Sequence, residues 1–120
     1  MKTYYKVVKR IDDKLVSCVA YNLSRIEYAQ NKWAKAPKWL RDLNKGPLVF
    51  VSLDDVKAFV KQTFYPSDVE IWEVRARCIN TNPRIYKTWD LAEGKVEYSQ
   101  EPFPTGTVEA RQIKLIRRVV

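Results

Sequence analysis

The sequence predicts an α+β fold: one compact domain over residues 1–120, built as a mostly antiparallel, curved sheet with one principal helix at about residues 53–64. Three observations carry this expectation. Short β-branched and aromatic runs recur along the chain, separated by Asp, Pro and Gly breaks. One segment alone combines a capping residue with apolar residues at a clear helical spacing. A chain of 120 residues also has room for a single hydrophobic core and little more.

Thr3-Tyr4-Tyr5-Lys6-Val7-Val8-Lys9 reads as a strand, Asp12-Asp13 as a turn, and Lys14 to Ala20 as the returning strand of an opening hairpin. Arg25 to Ala29 is a third extended piece. Asn31 to Gly46 reads as a polar, Trp-containing connection, broken by Pro37 and closed by Gly46-Pro47, with one helical turn at most around Trp39 to Leu43. Leu48-Val49-Phe50-Val51 is a continuously apolar strand. Ser52 then caps the helix, and Asp55 stands three residues on as the capping-box acid.

Val56, Phe59 and Val60 make the buried stripe of that helix, Lys57 and Lys61 point outward, and Pro66 stops it. Val69 to Ile79 follows as a strand with Trp72, Val74, Ala76 and Cys78 on one face and Glu73, Arg75 and Arg77 on the other. Strand, helix and strand in this length fit a βαβ crossover. Arg84 to Asp90 and Lys95 to Tyr98 read as short strands around a turn at Glu93-Gly94. Pro102, Pro104 and Gly106 mark a second irregular connection, and Gln112 to Val120 closes the chain with Ile113, Leu115 and Val119 on one face. Tyr4, Tyr5, Tyr86, Trp89 and Tyr98 fall in these strands as core or sheet-surface residues.

The composition excludes several chemistries. There is no histidine, which removes Ser-His-Asp and Cys-His catalysis together with the commonest transition-metal ligand. The two cysteines, Cys18 and Cys78, have no CxxC spacing. Each lies in an apolar run and is expected as a buried free thiol, with a single Cys18–Cys78 bridge left open. Asp12-Asp13 and Asp54-Asp55 are paired acids at a turn and a helix start, where carboxylates are favoured structurally. No Gly-rich phosphate loop occurs, and neither a metal nor a cofactor is expected. No run approaches the roughly 20 apolar residues of a membrane span, and Met1 to Tyr5 lacks a secretory leader, so a soluble, cytoplasmic protein is expected.

Charge is the most informative remainder. The formal net charge is +8, and its distribution is uneven. Residues 1–53 carry eleven cations against four carboxylates, residues 54–110 seven against ten, and residues 111–120 four against none. Such a balance suits an anionic partner. Within Asn31 to Arg41, four cations (Lys32, Lys35, Lys38 and Arg41) are interleaved with Trp33 and Trp39. Cations neutralise phosphates and aromatic faces stack on unpaired bases, so this mixture suits a nucleic-acid strand. The same two Trp residues can instead anchor a long loop onto the sheet. Arg75 and Arg77 share a strand face and can form a ridge with Arg111, Lys114, Arg117 or Arg118 if the last strand pairs nearby. Alternatively, these cations pair across strands with Glu70, Glu73 or Glu97.

Tyr5-Lys6-Val7-Val8, Leu48-Val49-Phe50-Val51-Ser52-Leu53 with Ala58-Phe59, Ile71-Trp72-Glu73-Val74, and Gly106-Thr107-Val108 ahead of Ile113-Lys114-Leu115-Ile116 resemble patterns of a loose group of small uncharacterised accessory proteins of phages and prophages. The resemblance implies an accessory viral setting and no mechanism. Phe50 to Asp54 followed by Val69 to Glu73 also resembles, more distantly, the nucleotide-facing half of compact ADP-ribosyltransferase folds. That resemblance implies NAD as cofactor and Arg10 with Glu109 as the matching positions, with Glu97 as a second candidate acid, facing a cleft lined by Tyr5, Arg10 and Ser52. The leading expectation is a non-enzymatic basic binding domain that engages nucleic acid or a nucleic-acid-containing complex. The alternatives are a protein-inhibitor module docking on a host or rival protein through a sheet edge and exposed aromatics, and the NAD-dependent transferase.

Overall fold

The computed structural model describes residues 2–17, 26–42, 45–81, 86–90, 95–98 and 104–120, with the backbone alone for 86–90 and 95–98. Strand β1 (Tyr4–Ile11) turns at Asp12-Asp13 into β2 (Lys14–Ser17). Both turn residues have positive φ, 50° and 64°. A two-residue hairpin needs that geometry to match the twist of its strands, and Asp tolerates it better than most side chains.

Two further strands are only two residues long: β3 (Glu27–Tyr28), which pairs with β2, and β4 (Trp33–Ala34), which pairs with the last strand, β10 (Gln112–Arg118). With β6 (Glu70–Arg77), the order across the sheet is β3-β2-β1-β6-β10-β4, all antiparallel. The outermost strands are therefore consecutive in the chain. Five Cα steps from Tyr28 to Trp33 reach at most about 18 Å, whereas six flat strands at ~4.8 Å spacing put the edges about 24 Å apart. The sheet must curl towards a barrel. The connecting residues lie along β10: the Asn31 amide donates to the Leu115 carbonyl (2.8 Å) and the Gln30 side-chain amide to that of Ile116 (2.9 Å).

At the other end, β5 (Leu48–Phe50) pairs with β1 at Tyr5 and with β9 (Thr107–Glu109), which continues through Ala110-Arg111 into β10. Gly46 crosses this bend so closely that a Cβ there would lie 1.9 Å from the Ala110 carbonyl oxygen, so only glycine fits. The concave side holds the larger core, which includes Val8, Leu15, Val49, Trp72, Val74, Ile113 and Leu115.

Helix α2 (Leu53–Thr63) covers part of the convex side. Ser52 caps it as the sequence predicts, its Oγ accepting the Asp55 amide at 3.1 Å. Val56 and Val60 are buried against Val7, Phe50, Val69 and Ile71, with Phe59 half-buried beside them. Each fully buried valine contributes about 1.5–3 kcal/mol. Because β5 and β6 both run antiparallel to β1, they are parallel to each other, and α2 is the crossover of a βαβ unit that straddles β1. Among the described residues, no helix is long and apolar enough to cross a membrane.

The α+β class, the principal helix and the opening hairpin agree with the sequence. Arg84 to Tyr98 contributes a separate antiparallel pair, β7 (Tyr86–Asp90) and β8 (Lys95–Tyr98). Its connecting turn and the side chains of Tyr86, Trp89, Glu97 and Tyr98 lie outside the described residues, as does Cys18. Two expectations are corrected. Cys78 is an exposed free thiol: β6 ends at Arg77, and Cys78 takes a positive φ of 55°, which turns it out of the alternation that would have buried it. The connection between Asn31 and Gly46 contains β4 as well as the helical turn α1 (Lys38–Arg41), and the Pro-rich connection before Gln112 ends in β9. The last strand pairs directly with β6, as a ridge with Arg75 and Arg77 requires, and β6 separates it from β1.

Candidate nucleic-acid interface

Alternation along β6 places Ile71, Glu73, Arg75 and Arg77 on the convex side, where Ile71 packs beneath α2. Helix α2 packs on β1 and β5, and the stretch of β6, β10 and β4 beyond it carries a different set of residues. In register, Lys114 lies opposite Arg75 on β6 and opposite Trp33 on β4, and Gln112 opposite Arg77. Arg77 places its guanidinium carbon 3.7 Å from the Trp33 ring centroid, and Lys114 Nζ lies 5.0 Å from it. Both are cation–π contacts. Arg77 Nη1 also donates to Gln112 Oε1 at 3.3 Å.

The structure divides the twelve sequence candidates by how their charge is met. Lys38 pairs with Asp42 (2.9 Å), Arg117 with Glu73, and Arg118 lies 3.8 Å from Glu70. The cross-strand pairing weighed from sequence thus holds for Arg117 and Arg118. A register shift between Leu115 and Arg117 sets it up, placing Arg117 opposite Glu73 and Arg118 opposite Trp72. Trp39 is half-buried against the concave core, which is the anchoring role, and Arg41 is half-buried with its Nε enclosed. Lys32, Lys35, Arg75, Arg77, Arg111 and Lys114 have no ion pair with a carboxylate among the described residues. Trp33 with Arg75, Arg77 and Lys114 forms the centre of this set. Lys32 and Lys35 flank Trp33 along a surface hollow of about 380 Å³, while Arg111 borders a second hollow of about 340 Å³ with Gly46, Cys78, Asn80 and Glu109.

The distant transferase resemblance names residues that fall in separate surroundings. Glu109 is buried in the second hollow, where Gly46 N lies 3.4 Å from its Oε2, and that hollow is lined by none of Tyr5, Arg10 and Ser52. Arg10 lies five positions beyond Tyr5 on β1 and forms a two-pronged ion pair with Glu70. No protein-family model, curated protein or solved structure matches the chain.

Proposed function

We propose that this protein is a non-enzymatic nucleic-acid-binding domain whose contact surface is the convex side of β6, β10 and β4. The observation that supports it most is the packing of two cations, Arg77 and Lys114, on the Trp33 ring, with Arg75 directly opposite Lys114 in register. Like charges facing each other across strands destabilise a sheet. Here no carboxylate among the described residues offsets them, and a phosphate backbone would do so. The phage and prophage resemblance supplies the setting for such a domain. Docking on a protein by strand addition at the ends of the main sheet is less favoured, because its edge strands β3 and β4 offer only two residues each.

The test is retention of labelled single- and double-stranded oligonucleotides across a salt series. Each cation that meets a single-strand phosphate contributes about −0.7 to the slope of log K against log salt, so replacing Arg75, Arg77 and Lys114 by Gln together is expected to flatten that slope by about 2. A wild-type protein that retains neither form at low salt overturns the proposal.

A further inference from the structure

Resting on that reading, we infer that the ligand is single-stranded and that one unpaired base sits in the hollow beside Trp33. The hollow is walled by Ile26, Ala29, Trp33, Ala34 and Pro37, with Lys32 and Lys35 alongside. Its volume of about 380 Å³ falls within the range of small-molecule sites. An apolar, aromatic wall beside cations matches the two halves of a nucleotide: a flat, weakly hydrated base and a charged phosphate. Glu27 is the carboxylate on this hollow; it lies 3.7 Å from Lys14 and provides an acceptor for a base amino group.

Trp33 belongs to both parts of the surface. It lines the hollow and also carries Arg77 at 3.7 Å and Lys114 at 5.0 Å. A strand with one base in the hollow would therefore run its phosphates from Lys32 and Lys35 on one side of the indole to Arg77, Lys114 and Arg75 on the other. A base paired within a duplex cannot enter, because its faces are already stacked and its edge is taken. The phosphates of a duplex would meet the same cations without filling the hollow.

Two probes separate this inference from the broader reading. Wild-type protein is titrated with a single-stranded oligonucleotide, with its duplex, and with an abasic strand of the same length whose sugars carry no base. The ordinary strand is expected to bind about tenfold or more tighter than the abasic one, since stacking on one aromatic is worth about that much. Trp33→Ala is expected to weaken the ordinary strand most and so close the gap between it and the abasic strand, and Trp33→Phe to restore most of that gap. If abasic and ordinary strands bind alike, or if Trp33→Ala weakens all three equally, the base-seating inference is overturned while salt-dependent binding stands. If the wild type binds none of the three, both proposals fall.

Discussion

Glu70 shows how a single side chain can hold distant parts of the chain together. It is buried, yet it accepts hydrogen bonds from Arg10 Nε and Nη2 (3.0 and 3.1 Å) and from the Trp72 indole N–H (3.1 Å), with Arg118 nearby at 3.8 Å. Burial alone pushes its carboxyl up. The hydrogen bonds from Arg10 and Trp72 and the charges of Arg118 and Arg10 outweigh it, so the group lies below the ordinary carboxylate value. A lowered folded-state value stabilises the protein above the unfolded value of about 4.3 and is lost as pH falls through the folded one. Urea midpoints measured between pH 7 and 3 should therefore fall for the wild type, and the loss should be smaller for Glu70→Gln. At neutral pH that variant should be less stable by about 1.5–3 kcal/mol, the worth of hydrogen bonds to a charged group. Gly46→Ala tests a backbone approach: with the new Cβ 1.9 Å from a main-chain oxygen, the β5–β9 end must shift, and the thermal midpoint should drop by several degrees. At Cys78, exposure predicts that a maleimide labels the native protein without denaturant, at one site among the described residues.

Among the elements, α2 was the most legible in the sequence, because its cap, its first-turn acids and its apolar stripe are all local signals. Ser52→Ala should cost about 1 kcal/mol in chemical unfolding with the slope unchanged. The hairpin turn at Asp12-Asp13 was legible for the same reason. Strand β3 lies within the extended piece read at Arg25 to Ala29, whereas β4 and β9 span only two or three residues, too few to display a period of two, and β4 exists because β10 arrives beside it from far along the chain. The candidate site was legible to the same degree. Its residue types stand out along the chain, including Trp33 among lysines and Arg75 with Arg77. Which cations remain unpaired depends on the register of β10 against β6 and on the irregularity before Arg117, which no local pattern encodes. That register separates Lys114 from Arg117, although both lie in the same basic run.

Over the whole molecule, charge and closure are coupled. The surface around Trp33 exists only where β4, β10 and β6 meet, and β4 is also the edge at which the curled sheet ends. A chain lacking residues 112–120 should lose cooperative unfolding by circular dichroism as well as oligonucleotide retention, because β4 would have no partner and β6 an open edge.

Short as it is, β4 also governs time. Residues 33 and 34 pair with residues 114 and 113, about eighty positions on, so the indole meets Lys114 only once that long-range contact closes. Contacts of such sequence separation slow folding towards milliseconds to seconds. The Trp33 part of the fluorescence change, taken as the difference between wild type and Trp33→Phe in stopped-flow refolding, should belong to the slowest phase. A partly made or partly folded chain would then display scattered lysines and no aligned indole, and capture of a strand would be reserved for molecules that had finished folding.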